Sequence, residues 1–185
     1  PVGVWVGMNP RWANRLQAVA QFLAAFPANL LFPLVVVLLV RWKLDPDIWL
    51  SPLIVLGTQW YILFNVIAGA SSVPTELRYA AQNLGLTGWL RWKRYLLPAV
   101  FPSLVTGAIT ASGGSWNASI VAEYVSWGGT TLQAAGLGSY IAAQTAAGDF
   151  PRIALGIGVM CLFVMVLNRL VWRRLYRLAE ERIHF

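Results

Sequence analysis

Long runs without a single charged side chain restrict what this sequence can fold into. Four of them, residues 16–40, 48–75, 95–122 and 153–168, are apolar over most of their length. A helix rises about 1.5 Å per residue, so about 20 apolar residues cross the hydrocarbon core of a bilayer. Only 11% of the residues are charged, against roughly 25% in soluble domains. The runs therefore predict an all-α polytopic membrane protein, a helical bundle with about four full spans.

The first residues, PVGVWVGMNP, are already apolar. They contain neither a basic leader nor a cleavage site, so they are not typical of a signal peptide. We interpret them as the end of a partial first helix and expect the chain to be incomplete at its N-terminus. Residues 1–185 are then expected to form a single transmembrane domain.

The basic residues predict the orientation of the spans. Residues 124–148 carry no charge but are rich in Gly, Thr, Ser and Gln, so they could form a loop or a further span. As a loop, they leave eleven Lys and Arg on one side of the membrane and only Arg41, Lys43 and Arg152 on the other; as a span, they give seven on each side. The positive-inside rule favours the loop. We therefore expect an outward loop over about 124–150 with a short helix near SYIAAQTAA, and place 74–94 and the C-terminal tail in the cytoplasm.

The cytoplasmic stretch ELRYAAQNLGLTGWLRWKRYLLP, residues 76–98, is polar and basic between two apolar runs. Pro74 suits the first turn of a helix over 74–84, and either Ser72 or Thr75 could cap its N-terminus. Gly85 fits as the residue that ends this helix. The following residues predict a second helical piece that leads into the membrane. The stretch is interpreted either as a docking surface for another protein or as an interfacial helix lying on lipid.

No residues in the sequence suggest enzymatic chemistry. Cys161 lies alone in an apolar run, and His184 has no metal-binding or catalytic companion nearby in the sequence. We therefore expect no catalytic residue, metal site or cofactor. The net charge of +7 is explained by basic residues that flank the spans and face anionic membrane lipid, and no nucleic-acid-binding motif is found.

Three residues in and after the third apolar run are candidates for a translocation pathway or a gate. Glu123 is the only acidic residue between positions 95 and 148, and it could act in gating or could cap or pair structurally near the outer interface. Ser115 and Asn117 lie among small residues that favour close helix packing, although they could also line a pathway.

The cytoplasmic stretch resembles the EAA loop of permease subunits of bacterial ABC importers. That motif reads Glu-Ala-Ala, three residues, Gly, nine residues, then Ile-x-Leu-Pro. Here Tyr79, Ala80 and Ala81 are followed after three residues by Gly85 and after nine more by YLLP at 95–98. The spacing matches throughout, with Tyr79 in place of the motif's Glu and Tyr95 in place of its Ile.

The resemblance continues outside the loop. The opening PVGVWVGMNPR is similar to the P-x-G-x-x-x-G end of an early core helix in this family, and FLAAFPANLLFPLVV to the proline-containing helix that follows it. SIVAEYV followed by GLGSYI resembles the nitrate, sulfonate, taurine and bicarbonate branch. The resemblance therefore covers nearly the whole chain.

The resemblance implies an inner-membrane permease of a type I ABC importer for a small solute, such as a nitrate-like, sulfonate-like or bicarbonate-like anion. It implies three partners: an ATP-binding cassette subunit, a periplasmic or lipoprotein substrate-binding protein, and a second permease domain or copy. The chain has no phosphate-binding G-x-x-x-x-G-K-[ST] loop, so ATP hydrolysis is expected on the partner. The resemblance assigns coupling to the ATPase to the motif residues Glu76, Tyr79, Ala80, Ala81, Gly85, Leu97 and Pro98.

Two other classes of membrane protein remain as alternatives. A secondary transporter or channel fragment would be expected to show ionisable residues near the membrane midplane, in many cases in repeated halves. A non-transporting membrane scaffold would have no nucleotide-dependent partner at residues 76–91.

Overall fold

The computed structural model describes residues 1–182, without the side chains at positions 10, 14, 29 and 182, so His184 lies outside the described residues. The helices are α1 (Val2–Gly7), α2 (Pro10–Ala25), α3 (Phe32–Trp42), α4 (Pro46–Trp49), α5 (Ser51–Ser71), α6 (Thr75–Asn83), α7 (Gly88–Arg91), α8 (Leu97–Ala122), α9 (Leu137–Ala147), α10 (Phe150–Leu167) and α11 (Arg173–Arg182). The strands are β1 (Tyr124–Trp127) and β2 (Thr130–Gln133). A 3-10 turn covers Ala28–Leu31, and π-helical turns cover Trp92–Leu96 and Asn168–Trp172.

Three helical segments of the described residues are long and apolar enough to cross a membrane. They are Pro46–Ser71, Gly88–Ala122 and Phe150–Glu181. They contain most of the second apolar run of the sequence and all of the third and fourth. The prediction of an all-α polytopic membrane protein is confirmed, and the short hairpin of β1 and β2 is its one departure among the described residues.

The first apolar run, 16–40, is a correction to the predicted spans. It does not form one helix, because α2 ends at Ala25, the 3-10 turn follows and α3 starts at Phe32. Pro27 and Pro33 explain the break, since a proline lacks the N–H that continues a helix and its ring disfavours a helical residue before it. Helix α3, with 11 residues, is about 16 Å long and too short to cross about 30 Å of hydrocarbon.

Residues 124–148 form a hairpin followed by helix α9, which confirms the short helix predicted near SYIAAQTAA. The strands pair antiparallel from Tyr124 opposite Gln133 to Trp127 opposite Thr130. The connecting Gly128 and Gly129 both have positive φ, 55° and 81°. Two consecutive left-handed residues make the tight turn that joins twisted strands, and glycine adopts them most easily.

The chain divides into two compact units, and α5 and α8 contribute residues to both. Unit 1 comprises Pro1–Leu23, Trp60–Ala111 and Arg169–Phe185, and unit 2 comprises Ala24–Gln59 and Ser112–Asn168. The prediction of a single transmembrane domain stays a prediction.

Unit 1 is built around close contact between α1 and the second half of α5. Its buried core contains Val4, Val66, Ala70 and Val100. A Cβ added at Gly7 would lie 2.5 Å from the carbonyl oxygen of Ile67, so only glycine fits there. The GVWVG stretch at residues 3–7 thus acts as a small-residue packing face, as in other membrane helix pairs.

Unit 2 packs α3, the start of α5, the end of α8 and the hairpin around a second core. The core consists of the buried residues Val36, Leu39, Leu50, Leu53, Ala122, Val125 and Ala134. Helix α9 adds a close crossing with α8, because a Cβ at Gly138 would lie 2.5 Å from the backbone of Ser119.

The two units differ sharply in charge. Unit 1 contains eleven basic and three acidic residues, whereas unit 2 contains three basic and four acidic residues. The eleven basic residues of unit 1 are the same eleven that the loop interpretation of residues 124–148 assigned to one side of the membrane. The division of charge between the units thus matches the division used to predict the orientation, and the orientation itself stays a prediction.

Candidate functional site

The motif segment, residues 74–98, begins with an N-terminus that no side chain caps. Pro74 occupies the N-cap position of α6. The Ser72 hydroxyl donates instead to the carbonyl oxygen of Gly69 at 2.9 Å, and the Thr75 hydroxyl lies 3.4 Å from Glu76 Oε1. The prediction that Ser72 or Thr75 caps α6 is therefore wrong, because the N-cap position falls on Pro74 and no side-chain hydrogen bond caps the helix.

Gly85 ends α6, as the sequence predicts. Its φ of +64° is in the left-handed region. The Gly85 N–H donates to the Gln82 carbonyl at 2.9 Å, and the Leu86 N–H donates to the Ala81 carbonyl at 3.0 Å. This pair of bonds is the Schellman motif, which satisfies the last carbonyls of a helix and turns the chain sharply.

One face of α6 is free within the described chain, and the opposite face is not. Glu76, Tyr79 and Ala80 are exposed, with Tyr79 at 64%. Ala81, the second alanine of the motif, is only 5% exposed. The motif's two alanines therefore point in different directions, and Ala81 packs within the chain itself.

Large apolar side chains extend the free face beyond α6. Leu84 is 75% exposed and Trp89 is 74% exposed, although both lie within a polar, basic segment. A Cβ added at Gly85 would have no atom of the chain within 4 Å. The outer surface of the motif segment thus carries large exposed apolar side chains and is sterically open at Gly85.

The second helical piece leads into α8 through a wide turn. Trp92–Leu96 form a π turn, in which the Leu97 N–H donates to the Trp92 carbonyl five residues back. Pro98 explains this turn, because it lacks an N–H and its ring would collide with the carbonyl of Arg94 in a regular helix. Leu97 is partly exposed, and Pro98 is half-buried.

Tyr95, at the motif's Ile position, is buried in the π turn. Its side chain is 8% exposed, and the hydroxyl has no hydrogen-bond partner in the part of the chain that the structure describes. An unpaired hydroxyl is costly in an apolar environment. The ring contributes packing, while its polar group adds no contact within the described residues.

Glu123 binds the start of α9 rather than a free surface. Its Oε2 accepts a hydrogen bond from the Ser139 backbone N–H at 3.0 Å. The carboxylate lies so close to Gly136 that a Cβ there would overlap it. Ser139 is the third residue of α9, whose N-cap, Gly136, has no side chain to offer. Glu123 therefore caps α9 from outside the helix. The sequence left this structural role open as the alternative to gating.

The loop before α9 is fixed by two further bonds. The Ala134 N–H donates to the Glu123 carbonyl at 2.9 Å, and the Ala135 N–H donates to Asp47 Oδ1 at 2.7 Å. Asp47 was not singled out by the sequence, because it lies 88 residues away from Ala135. Two carboxylates from distant parts of the chain thus hold residues 134–139.

The structure does not join the other two pathway candidates to Glu123. The Ser115 hydroxyl donates to the Ser112 carbonyl of the same helix at 2.8 Å. Asn117 is exposed, and its side chain makes no hydrogen bond within the described residues. Asn117 is therefore the candidate with free hydrogen-bonding groups.

Metal-binding side chains are not clustered among residues 1–182. No group of three His, Cys, Asp or Glu in that range could hold an ion, and Cys161 is exposed on α10.

Comparison with known proteins decides the family. A family described as "Binding-protein-dependent transport system inner membrane component" matches residues 1–185. The chain belongs to this family. The prediction of an ABC-importer permease of the inner membrane, made from the motif segment, is thereby confirmed.

Several curated permeases are similar to the chain. An osmoprotectant import permease of Salmonella typhimurium is 30% identical over 60% of the chain and 44% of the relative. A nitrate import permease of Leptolyngbya laminosa is 30% identical over 60% and 38%. A bicarbonate transport system permease of Synechococcus elongatus is 30% identical over 67% and 43%. The chain spans less than half the length of these relatives.

Proposed function

We propose that this permease chain couples a separate ATPase to the import of a small solute, through the exposed face of α6. The observation that carries the proposal is that the family's motif coincides with an open surface on which large apolar side chains are exposed. Glu76, Tyr79 and Ala80 lie outward on α6, and Leu84 and Gly85 continue the surface. The proposed partner is an ATP-binding cassette subunit.

The contact is made by the outer face of α6, and Ala81 supports it from behind. Ala81 is buried in unit 1, so it positions the helix rather than entering the partner's groove. Tyr79 replaces the acidic residue of the motif. The groove that receives it therefore needs an apolar wall and a hydrogen-bond partner for a phenol, and no cation for this position.

Motion of the ATPase would reach the membrane through two helical segments joined by a fixed turn. The Schellman motif fixes the end of α6, and residues Gly88–Ala122 then form one helical segment. A tightly packed segment moves as a rigid body rather than bending at many points. Displacement of α6 would thus be transmitted to α8.

The proposed solute is a small anion. Relatives named for nitrate, bicarbonate and aliphatic sulfonates support this choice, although another relative is named for osmoprotectants. Ser115 and Asn117 on α8 are the proposed pathway residues, whereas the carboxylate of Glu123 is already hydrogen-bonded to the start of α9. A substrate-binding protein and a second permease domain or copy complete the proposed importer.

Co-purification with the ATPase tests the coupling surface. Ala80→Glu and Gly85→Asp add a charge to the open face without meeting an atom of the chain at Gly85. Each is expected to weaken ATPase binding at least tenfold, about 1.4 kcal/mol. Ala146→Glu is the matched control, because Ala146 is an exposed helical alanine of α9 in unit 2.

The proposal is overturned if both variants insert in the membrane and retain the ATPase as the Ala146→Glu control does. The segment would then be an interfacial helix. If the ATPase binds but vesicles energised with ATP take up none of nitrate, bicarbonate or a sulfonate, the anion part of the proposal is wrong, while the coupling surface stands.

A further inference from the structure

The last helical segment carries a row of arginines that the transport role does not use. Arg173, Arg174 and Arg177 are exposed on α11. At about 100° per residue they lie within an arc of about 100° on one side of the helix. None of the three forms an ion pair within 4.0 Å with a carboxylate of the described chain. Three like charges on one face without internal partners indicate an external anion.

The opposite face of α11 packs into unit 1. Ala179 is only 3% exposed, and Trp172 and Leu175 are half-buried. These three residues have the i, i+3, i+7 spacing of one helical face. Packing on this side fixes the rotation of the helix, so the arginines are held outward.

The composition of the last helical segment places the arginines at the depth of lipid headgroups. Residues Phe150–Glu181 form one helical segment, and its last apolar side chains before the arginines are Leu170, Val171 and Trp172. Arg177, the furthest of the three arginines, lies five residues beyond Trp172, about 8 Å along a helix. The headgroup layer on each side of a bilayer is about 5–8 Å thick. Trp172 and Tyr176 flank the same position, as aromatic residues do at a membrane interface.

A shallow cavity at the arginines is of headgroup size. It has a volume of about 290 Å³ and is lined by Arg174, Arg177, Leu178 and Glu181. The two guanidinium groups can bind phosphate oxygens in the bidentate manner typical of arginine, and Leu178 offers an apolar wall. Glu181 adds one negative charge, which repels a doubly charged phosphate more than a singly charged phosphodiester.

We infer that α11 binds the phosphodiester headgroup of an anionic phospholipid through Arg173, Arg174 and Arg177. The partner is a lipid of the bilayer rather than a free anion. The arginines lie at headgroup depth, Trp172 and Tyr176 lie beside them, and Glu181 favours a singly charged phosphodiester. This inference does not depend on the proposed coupling or on the transported solute.

Native mass spectrometry of the purified permease, titrated with phosphatidylglycerol or phosphatidylcholine, tests the inference. The wild type is expected to bind phosphatidylglycerol in preference. An Arg173→Gln, Arg174→Gln, Arg177→Gln variant should lose about a hundredfold in affinity, since each arginine near a membrane surface contributes about fivefold. Lysine at the three positions should retain only part of the binding, because it keeps the charge but not the bidentate geometry of arginine.

The control removes the same charge from unit 2. An Arg41→Gln, Lys43→Gln, Arg152→Gln variant has the same net charge as the α11 glutamine variant and should bind phosphatidylglycerol like the wild type. If both variants lose the same affinity for phosphatidylglycerol, net charge alone explains the binding, and the inference is overturned. Competition by inorganic phosphate at equal concentration would indicate a free-anion site instead.

One further outcome would also overturn it. If the α11 glutamine variant binds phosphatidylglycerol normally but no longer co-purifies with the ATPase, the arginine face is a protein-docking surface.

Discussion

Glu123 Oε2 accepts a hydrogen bond from the backbone N–H of Ser139 at 3.0 Å, across sixteen residues of sequence. The bond satisfies one of the free N–H groups at the start of α9, which has no side-chain cap of its own. Glu123 is the only acidic residue of the 54-residue stretch at positions 95–148. Its hydrogen bond therefore has a structural role within unit 2.

Glu123→Ala is expected to loosen the start of α9 and to destabilise the chain by about 1 kcal/mol, the usual cost of losing a helix cap. Glu123→Gln keeps an acceptor oxygen and should cost less. Hydrogen exchange at the Ser139 amide measures the effect directly, and the rate should increase more in the alanine variant than in the glutamine variant.

Asp47→Ala is the matched control for this prediction. It removes the acceptor of the Ala135 N–H, so exchange should accelerate at Ala135 more than at Ser139. Glu123→Ala should produce the reverse order. If the same amide exchanges faster in both variants, residues 134–139 open as one unit. That result would contradict two independent hydrogen bonds.

Gly7→Ala is expected to destabilise the chain by about 1–3 kcal/mol, the usual cost of overpacking. The added Cβ would lie 2.5 Å from the Ile67 carbonyl oxygen and 2.7 Å from the Cβ of Ala70. Gly57→Ala, on α5, has no atom of the chain within 4 Å and should gain up to about 1 kcal/mol in helix propensity. Thermal unfolding in detergent compares them, and a similar loss in both would contradict a contact specific to Gly7.

Tyr95→Phe is expected to raise stability by about 1 kcal/mol, because it removes a buried hydroxyl that has no partner among the described residues. The ring and its packing stay in place. Tyr176→Phe, at an exposed position of α11, should change the melting temperature little. A clear loss of stability in Tyr95→Phe would show that the hydroxyl has a partner outside the described chain.

Gly85→Asn separates the backbone role of Gly85 from its contact role. Asparagine tolerates a positive φ better than other side chains, so α6 should still end at the same residue. If a partner packs against Gly85, the new side chain should weaken ATPase binding about tenfold or more, without lowering the melting temperature.

Gly128→Asn controls for this substitution. Gly128 also has positive φ, at 55°, and also has open space around it, but it lies in the hairpin of unit 2. It should leave ATPase binding unchanged. Normal ATPase binding by Gly85→Asn would contradict a close contact at this glycine.

The sequence predicted the parts of the fold that depend on local chemistry. Gly85 ends α6 because only a residue that easily adopts positive φ can close the Schellman motif. Three of the four apolar runs form span-length helices. The first run, 16–40, does not, because apolar content does not report helix continuity, and the prolines at 27 and 33 interrupt a run that has no charge.

The parts that the sequence did not predict depend on tertiary contacts. Ala80 and Ala81 are chemically equal, and only the packing of α6 makes one exposed and the other buried. The caps were predicted wrongly because the N-cap position of α6 falls on Pro74, which has no side-chain acceptor. The hydrogen bond between Asp47 and the Ala135 N–H joins two segments that are far apart in the sequence, and no local sequence pattern predicts it.

The wide turn at Trp92–Leu96 has a consequence for how this loop can evolve. One extra residue in a turn rotates everything before it by about 100° relative to the helix that follows. The angle at which α7 leaves α8 is therefore set by Pro98 together with one surplus residue. Deleting one residue here would rotate the preceding segment to a different side of α8. In related sequences, replacement of Pro98 is therefore expected to accompany a change in the length of this loop.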